Sequence, residues 1–331
     1  MTEHAVSILG TGSYAPTAEI SNAEVAERVG VEPEWIERKT QIVTRRYAAA
    51  SEATSDLAAR AAQGALENAG LVADQVDYLI VSTSTGDSPQ PPTSYLVQNW
   101  LGAWNAACFD INVVCSGFVY ALALARSLVA VEPGARALVV GADLYSRILD
   151  FTDRKTAVLF ADGAGAAVVG AAPEPGVLAC HLASRGDASS LVWVEAGGSR
   201  LPSSHQTVND GAHFFRMNGR GVRDFVMEQV PPALAALCAK AGVGLDEVVH
   251  FVPHQANGVM LGELVERSGL SGARTHLVVE EYGNMGSASL PFALDRANRA
   301  NAFSDGDLVL LAGFGGGMSI GACLLRWRVA T

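Results

Sequence analysis

Cys115 sits in the run DINVVCSGFVYALALA, where a short apolar strand over residues 111–114 leads into a helix that is apolar all round. A helix of that kind is buried, so its N-terminus points into the protein interior. A thiol placed there faces the positive end of the helix dipole and unpaired backbone N–H groups, both of which favour the nucleophilic thiolate. Read alone, the residue fits a small buried hydrophobe as well, because free cysteine is among the most buried residue types. His254, in FVPHQANGVM, follows an apolar strand directly. A lone histidine is ordinarily a hydrogen-bonded structural residue, but ligands of α/β folds bind at the C-terminal ends of strands. Asn284 lies in the glycine-flanked turn EYGNMGSAS before a helix; by itself it reads as a cap or a left-handed turn residue. The triplet at 315–317 is a tight turn, or a place where a backbone N–H approaches a substrate closely enough to complete an oxyanion hole.

The elements that must position these residues are written twice. ENAGLVADQVDYLIVSTS (67–84) and AKAGVGLDEVVHFVPHQA (239–256) align without a gap, each passing from a helix end through a glycine into an apolar strand. ARALVVGAD (135–143) matches GDLVLLAGF (306–314), and each leads to a glycine-rich strand, DGAGAAVVGA (162–171) or GGGMSIGACLL (315–325). More loosely, the helix opened by Cys115 corresponds to the one opened by YGNMGSASLPFAL (282–294). The period is far longer than a solenoid module, so the reading is a duplicated α/β half. Continuously apolar strands suit sheets buried on both faces. Ser21 with Glu24 reads as a capping box, and Ser55 or Asp56 as the start of a helix closed by Gly70. With a junction in AAPEPG (171–176), the expected organisation is a half over 1–172 carrying Cys115 and a half over 173–331 carrying His254 and Asn284. Packed together they make an α/β fold of five layers, with two buried helices between two sheets.

Bulk properties narrow the function. Across 331 residues, 49% are apolar and 17% charged, which suits a large core and burial in an oligomer. A net charge of −11 disfavours nucleic acid or an anionic membrane surface as partner. No apolar stretch approaches the ~20 residues that span a bilayer. The start, MTEHAVSILGTG, has an acidic residue and no basic region, unlike a secretory signal. Five scattered cysteines with no C-x-x-C indicate neither a zinc site nor a disulfide framework, and the expectation is a cytoplasmic protein with reduced thiols.

Seven segments in order carry a resemblance over almost the whole chain: GTGSYAP, EWIERKTQIVTRR, DINVVCSGF, TDRKTAVLFADGAGA, VPHQAN, YGNMGSASLP and GFGGGMSIGACLLRW. Together they resemble the thiolase superfamily, and within it β-ketoacyl-ACP synthase III. The resemblance implies the thiolase-like five-layer α-β-α-β-α fold, a homodimer, and no metal or redox cofactor. It implies that Cys115 takes an acyl group from acyl-CoA, with the oxyanion held by the N–H groups of Cys115 and Gly316. It also implies that His254 and Asn284 bind the thioester carbonyl of malonyl-ACP or malonyl-CoA, whose decarboxylation gives the attacking carbanion. At the mouth, Trp35 would stack on the CoA adenine with Lys39 and Arg154 close by, in a stretch that also holds Arg38, Arg45 and Arg46.

Three positions depart from the family pattern. Val259 stands where many members carry a carrier-protein-docking Arg, Asp224 where they carry a Lys, and Gln90 where a Phe often closes the acyl pocket across the dimer. Arg223 and Arg220 remain nearby. Loss of two cations weakens steering towards an acidic carrier protein, which suggests a specialised-metabolism enzyme with a more open or more polar pocket. The alternative activity is acyl transfer from Cys115 to an alcohol or amine with His254 as base.

Overall fold

The computed structural model describes residues 4–328. The first three residues of the MTEHAVSILGTG start and the last three of the second half lie outside the described residues. Two five-stranded sheets form the frame. The first is built from β1 (Val6–Tyr14), β2 (Tyr78–Ser82), β3 (Ala107–Ile111), β4 (Arg136–Leu144) and β5 (Asp162–Ala171), in the order β1-β5-β4-β2-β3. The second is built from β6 (Val177–Ser184), β7 (His250–Pro253), β8 (Arg274–Thr275), β9 (Leu308–Gly315) and β10 (Ser319–Arg326), in the order β6-β10-β9-β7-β8. Adding five to each label of the first order yields the second. Pairing directions agree too: β2 is parallel to β3 and β4, and β7 is parallel to β8 and β9. β5 is antiparallel to β1 and β4, and β10 to β6 and β9. All strands of the first sheet lie within residues 6–171 and all of the second within 177–326.

The helices complete five layers. α1 (Asn22–Val29) starts at the Ser21–Glu24 capping box, and α2 (Pro33–Thr40) follows it. α3 (Thr54–Asn68) and α4 (Thr93–Leu101) flank the first sheet. α3 begins earlier than expected, at Thr54: both Ser55 and Asp56 lie inside its first turn, and the Asp56 carboxylate accepts the Ala53 N–H at 2.8 Å. α5 (Gly117–Val131) and, near the chain end, α9 (Ser289–Arg299) lie between the sheets. Phe118, Leu122 and Val129 of α5 and Leu290 and Leu294 of α9 share one core with Val139, Val309, Leu311 and Cys323 from both sheets. α6 (Gly219–Lys240), α7 (Gly258–Arg267) and the short α8 (Val279–Tyr282) belong to the second half, and α6 and α7 cover the outer face of its sheet.

Alternation on the strands explains their unbroken apolar runs. In β2, Ile80 faces the central helices, while Leu79 and Val81 face α3. Val114–Val131 is an 18-residue helical stretch of mean hydropathy 1.8, long and apolar enough by composition to cross a membrane. Its apolar side chains are instead consumed between the two sheets.

Candidate active site

Cys115 stands on a strained turn. The strand expected over 111–114 ends at Ile111, and Val114 then takes φ +47°, a conformation costly for a β-branched residue. One 3₁₀ turn over Val114–Ser116 places Cys115, 7% exposed, two residues before α5 begins. Ser116 Oγ donates to the Ser319 carbonyl (3.1 Å), fastening the turn to β10. The glycine turn after β9 closes over the sulfur. A Cβ on Gly316 would lie 2.5 Å from Val114 Cγ1, so only glycine allows this approach. The backbone N–H groups of Gly316 and of Cys115 itself act on the sulfur and favour its charged form.

Those donors do not make it a thiolate. Burial pushes the Cys115 thiol up to about 12, and the Asp143 carboxylate adds to the rise; the two N–H groups offset only part of it. The expectation of a helix-start thiolate is therefore corrected. Desolvation of the charge outweighs the local donors, and α5 starts beyond the sulfur. At rest Cys115 is a protonated thiol.

His254 follows β7 directly, 1% exposed, with its N–H on the Ala312 carbonyl (2.7 Å). Burial lowers its imidazole to about 3, so it is neutral, and Nδ1 has no partner among the described residues. Asn284 is held beside Phe160 in an isolated bridge, its N–H on Leu159 O (2.9 Å) and its carbonyl accepting from Ala161 N (2.8 Å). Its Oδ1 accepts the Gly286 N–H (3.0 Å), which fixes the amide orientation. Nδ2 has only a long contact of 3.5 Å to Ala256 O and stays available as a donor. Cys115, His254, Asn284 and Gly316 line one cavity of about 290 Å³.

Lys39, Lys155, Leu159, Met217, Gly219 and Asn257 line both this cavity and a wider one of about 830 Å³ that opens to solvent. Trp35 and Arg154 flank the wide mouth, the guanidinium 5.8 Å from the centre of the indole. Lys39, Arg154, Lys155 and Arg220 bring four cations there, and none forms an ion pair among the described residues. Three arginines of the basic stretch do not line it; Arg38 lies instead in a neighbouring depression with Trp35 and Arg154. Arg45 is fully buried, donating to Asn22 Oδ1 (3.0 Å) and Val158 O (3.1 Å), and Arg46 pairs with Glu19 (2.7 Å). Strand alternation over Thr44–Tyr47 turns Arg45 inwards and Arg46 away.

The family models for 3-oxoacyl-[acyl-carrier-protein (ACP)] synthase III and for its C-terminal part match residues 109–186 and 238–327. The chain belongs to the synthase III family. It is 48% identical to the acetoacetyl CoA synthase NphT7 of Streptomyces sp. (strain CL190), over 99% of this chain and 100% of that one. It is 42% identical to a β-ketoacyl-[acyl-carrier-protein] synthase III of Syntrophomonas wolfei, over 97% of each. Among solved structures, the priming β-ketosynthase of the R1128 polyketide pathway superposes with TM-score 0.92 at 34% identity, covering 100% of this chain and 98% of that one. The synthase III from Pseudomonas aeruginosa superposes with TM-score 0.90, also at 34% identity, over 99% of each. The thiolase-like fold of the synthase III family is thus the fold of this chain.

Several residues of this synthase III site escaped the sequence reading. Asp143 closes β4 fully buried; the only signal was an acid ending an apolar run. Gln255, also fully buried, holds the loop after His254 with both ends of its amide. Tyr145, Phe160 and Phe215 wall the inner cavity from three distant segments, a meeting no local pattern announces. Gln90 is exposed in the loop before α4 and does not line the cavity of the single chain.

Proposed function

We propose that the protein is a ketosynthase that condenses an acyl-CoA starter, carried as a thioester on Cys115, with a malonyl thioester by decarboxylative Claisen chemistry. One observation carries the reading: a buried thiol with two N–H groups on it shares a cavity with a neutral imidazole and an oriented amide. Cys115 attacks the starter carbonyl, the N–H groups of Cys115 and Gly316 hold the tetrahedral oxyanion, and CoA leaves. The thiol proton passes to His254, the neutral acceptor lining the same cavity, and from there to the departing CoA sulfur, which returns His254 to its neutral form. The malonyl carbonyl then accepts from His254 and from Asn284 Nδ2. As CO₂ departs, charge develops on that oxygen, so neutral donors already aimed there favour the transition state over the ground state. The enolate carbon attacks the acyl thioester and releases Cys115. Trp35, Lys39 and Arg154 hold the CoA end at the mouth. No step calls for a metal or redox cofactor.

The extender is carried by CoA in this reading. Val259, the lost docking position, is exposed on the cavity rim, and Asp224 is acidic. The surviving Arg223 is clasped by Glu263 (2.7 and 2.8 Å), so the α7 side of the rim offers little positive field to an acidic carrier protein, while Arg220 and the other mouth cations face the CoA mouth. The name of the Streptomyces relative, an acetoacetyl CoA synthase, agrees. A homodimer fits the free edge of β3, beside which Tyr95, Trp100 and Trp104 are exposed. A cytoplasmic setting fits five free cysteines. The halves 1–172 and 173–331 are taken as the two units of the duplication.

The deciding experiment incubates the protein with acyl-CoA and labelled malonyl thioester. Acyl mass on the Cys115 peptide with CO₂ release supports condensation. Acylation without CO₂ release supports transfer to an alcohol or amine instead, and no acyl mass overturns both.

A further inference from the structure

Two of the five cysteines, far apart in sequence, meet outside the active site. Cys180 on β6 and Cys323 on β10 are direct partners in an antiparallel ladder, 143 residues apart along the chain. Their sulfurs lie 3.6 Å apart, with one thiol donating to the other. Cys323 is fully buried, in one core with Val309, Leu311 and Leu325 between the sheets. Cys180 sits on the edge strand and is only half-buried. The Cys323 thiol beside it, and then the positive charges of Arg126 and Lys240, hold the Cys180 thiol below its usual range although burial opposes them. Cys180 and burial push the Cys323 thiol well above that range. Neither residue lines the cavity that holds Cys115.

Residues directly opposite in an antiparallel ladder have Cα atoms ~4.5–5.5 Å apart, inside the ~4.4–6.8 Å that a disulfide spans. Joining these sulfurs therefore needs side-chain rotation and no change of register. The pair is also asymmetric in the way that stepwise oxidation uses: a reachable, more acidic thiol stands next to a sealed one that can resolve it. We propose that Cys180 and Cys323 are a modification site, at which a hydroperoxide forms a reversible intramolecular disulfide. The Cys180 thiolate attacks one oxygen of the hydroperoxide, the O–O bond breaks, and the other oxygen leaves as an alcohol or water after taking up a proton. Cys180 is then a sulfenic acid. The Cys323 sulfur attacks it, gives up its proton, and the hydroxyl departs as water. The two thiols lose two electrons, which the peroxide gains, and a dithiol reductant reverses the bond by exchange. The bond ties the edge strand to β10, whose first residue, Ser319, pairs with Ser184 in the same ladder and holds Ser116 beside the nucleophile. The site stands apart from the condensation chemistry, and neither reading depends on the other.

The test exposes the folded, reduced protein to hydrogen peroxide, alkylates the remaining thiols in denaturant and maps the cysteines by mass spectrometry after proteolysis. The expected product is a peptide pair joined through Cys180 and Cys323, with alkylated thiols falling from five to three and returning to five after dithiothreitol. In Cys323→Ala no second thiol resolves the first product, and dimedone is expected to trap a sulfenic acid on Cys180. In Cys180→Ser the joined peptides are lost, and Cys323, sealed in the core, stays alkylatable. That substitution is at the half-buried edge position, so it keeps the test decisive if the core variant folds poorly. A disulfide between other cysteines overturns the proposal, as does oxidation of Cys115 with Cys180 and Cys323 still reduced. No loss of thiols under excess peroxide overturns it too.

Discussion

Ser287 donates both its backbone N–H (2.7 Å) and its hydroxyl (2.8 Å) to Oδ2 of Asp143. The other oxygen, Oδ1, accepts from Ser84 N (2.8 Å), Ser84 Oγ (3.0 Å), Thr85 Oγ1 (3.0 Å) and Thr83 Oγ1 (3.2 Å). One carboxylate thus ties the loop after β2, in the first sheet, to the turn that follows Asn284.

Replacing Asp143 tests that tie. Asp143→Asn keeps the shape, but its NH₂ end cannot accept, so buried donors on one side lose their partner. A loss of about 3 kcal/mol in urea unfolding is expected, from two or more hydrogen bonds to a buried charged group. Condensation should fall by about 10²-fold, the scale of a 1 Å displacement of a reacting group. Unchanged turnover would show that Asn284 is positioned without Asp143.

The buried imidazoles set a pH dependence with a defined sign. Burial lowers His254 to about 3 and His276 to about 4, against 6.5 in the unfolded chain. Above pH 6.5 both states are neutral and neither histidine affects the slope. Below it the unfolded chain binds protons that the folded chain refuses, so stability falls by about 1.4 kcal/mol per pH unit for each histidine. The loss runs down to about pH 4 for His276 and about pH 3 for His254. His254→Asn removes one of the two, so its stability should fall less steeply than that of the wild type between pH 6 and 4 in urea titrations. Parallel slopes would place the His254 ionisation elsewhere.

How far the sequence disclosed this site depended on whether the cause was local. The duplication, the strand ends and the turns around Cys115, His254 and Asn284 are written in contiguous runs, and the two sheets repeat them strand for strand. The ionisation of Cys115 was read wrongly because a helix start is a local feature, whereas desolvation comes from everything packed around the thiol. Arg45 and Arg46 looked like two members of one basic stretch, yet strand alternation sends them to different environments. Tyr145 gave no signal, since its place in the cavity wall comes from Phe160 and Phe215, brought together only by the fold.

Gln255 is expected to act as a positioning residue. Its Nε2 donates to Pro253 O (2.8 Å) and His276 O (3.1 Å), and its Oε1 accepts from Val278 N (2.8 Å) and Val279 N (3.2 Å). It therefore links the loop of His254 to the start of α8, the helix that leads to Asn284. Gln255→Glu loses both donors while keeping the shape. CO₂ release should drop by about 10²-fold, with Cys115 acylation changed far less, because only the paired donors move. Equal losses in both half-reactions would show a general structural role.

Carrier preference can be shifted at the rim of α7. Val259 and Glu263 stand four residues apart on that helix, and Glu263 already holds Arg223 (2.7 Å) and Arg267 (2.9 Å). An arginine introduced at 259 alone would sit one turn from Glu263 and be partly neutralised by it. Glu263→Gln removes that sink and leaves Arg223 only its longer pairing with Asp224 (3.3 Å), and Val259→Arg adds a second cation, so the pair should act together. The expected outcome is a rise of about tenfold in the ratio of kcat/KM for malonyl-ACP to that for malonyl-CoA, within the range of electrostatic steering. The gain should fade as salt shortens the reach of the field. Competition kinetics at low and high ionic strength measure both effects. A ratio unmoved by the double substitution at low salt would mean that carrier choice is set inside the channel, by the Trp35 and Arg154 mouth, and not by charge on this rim.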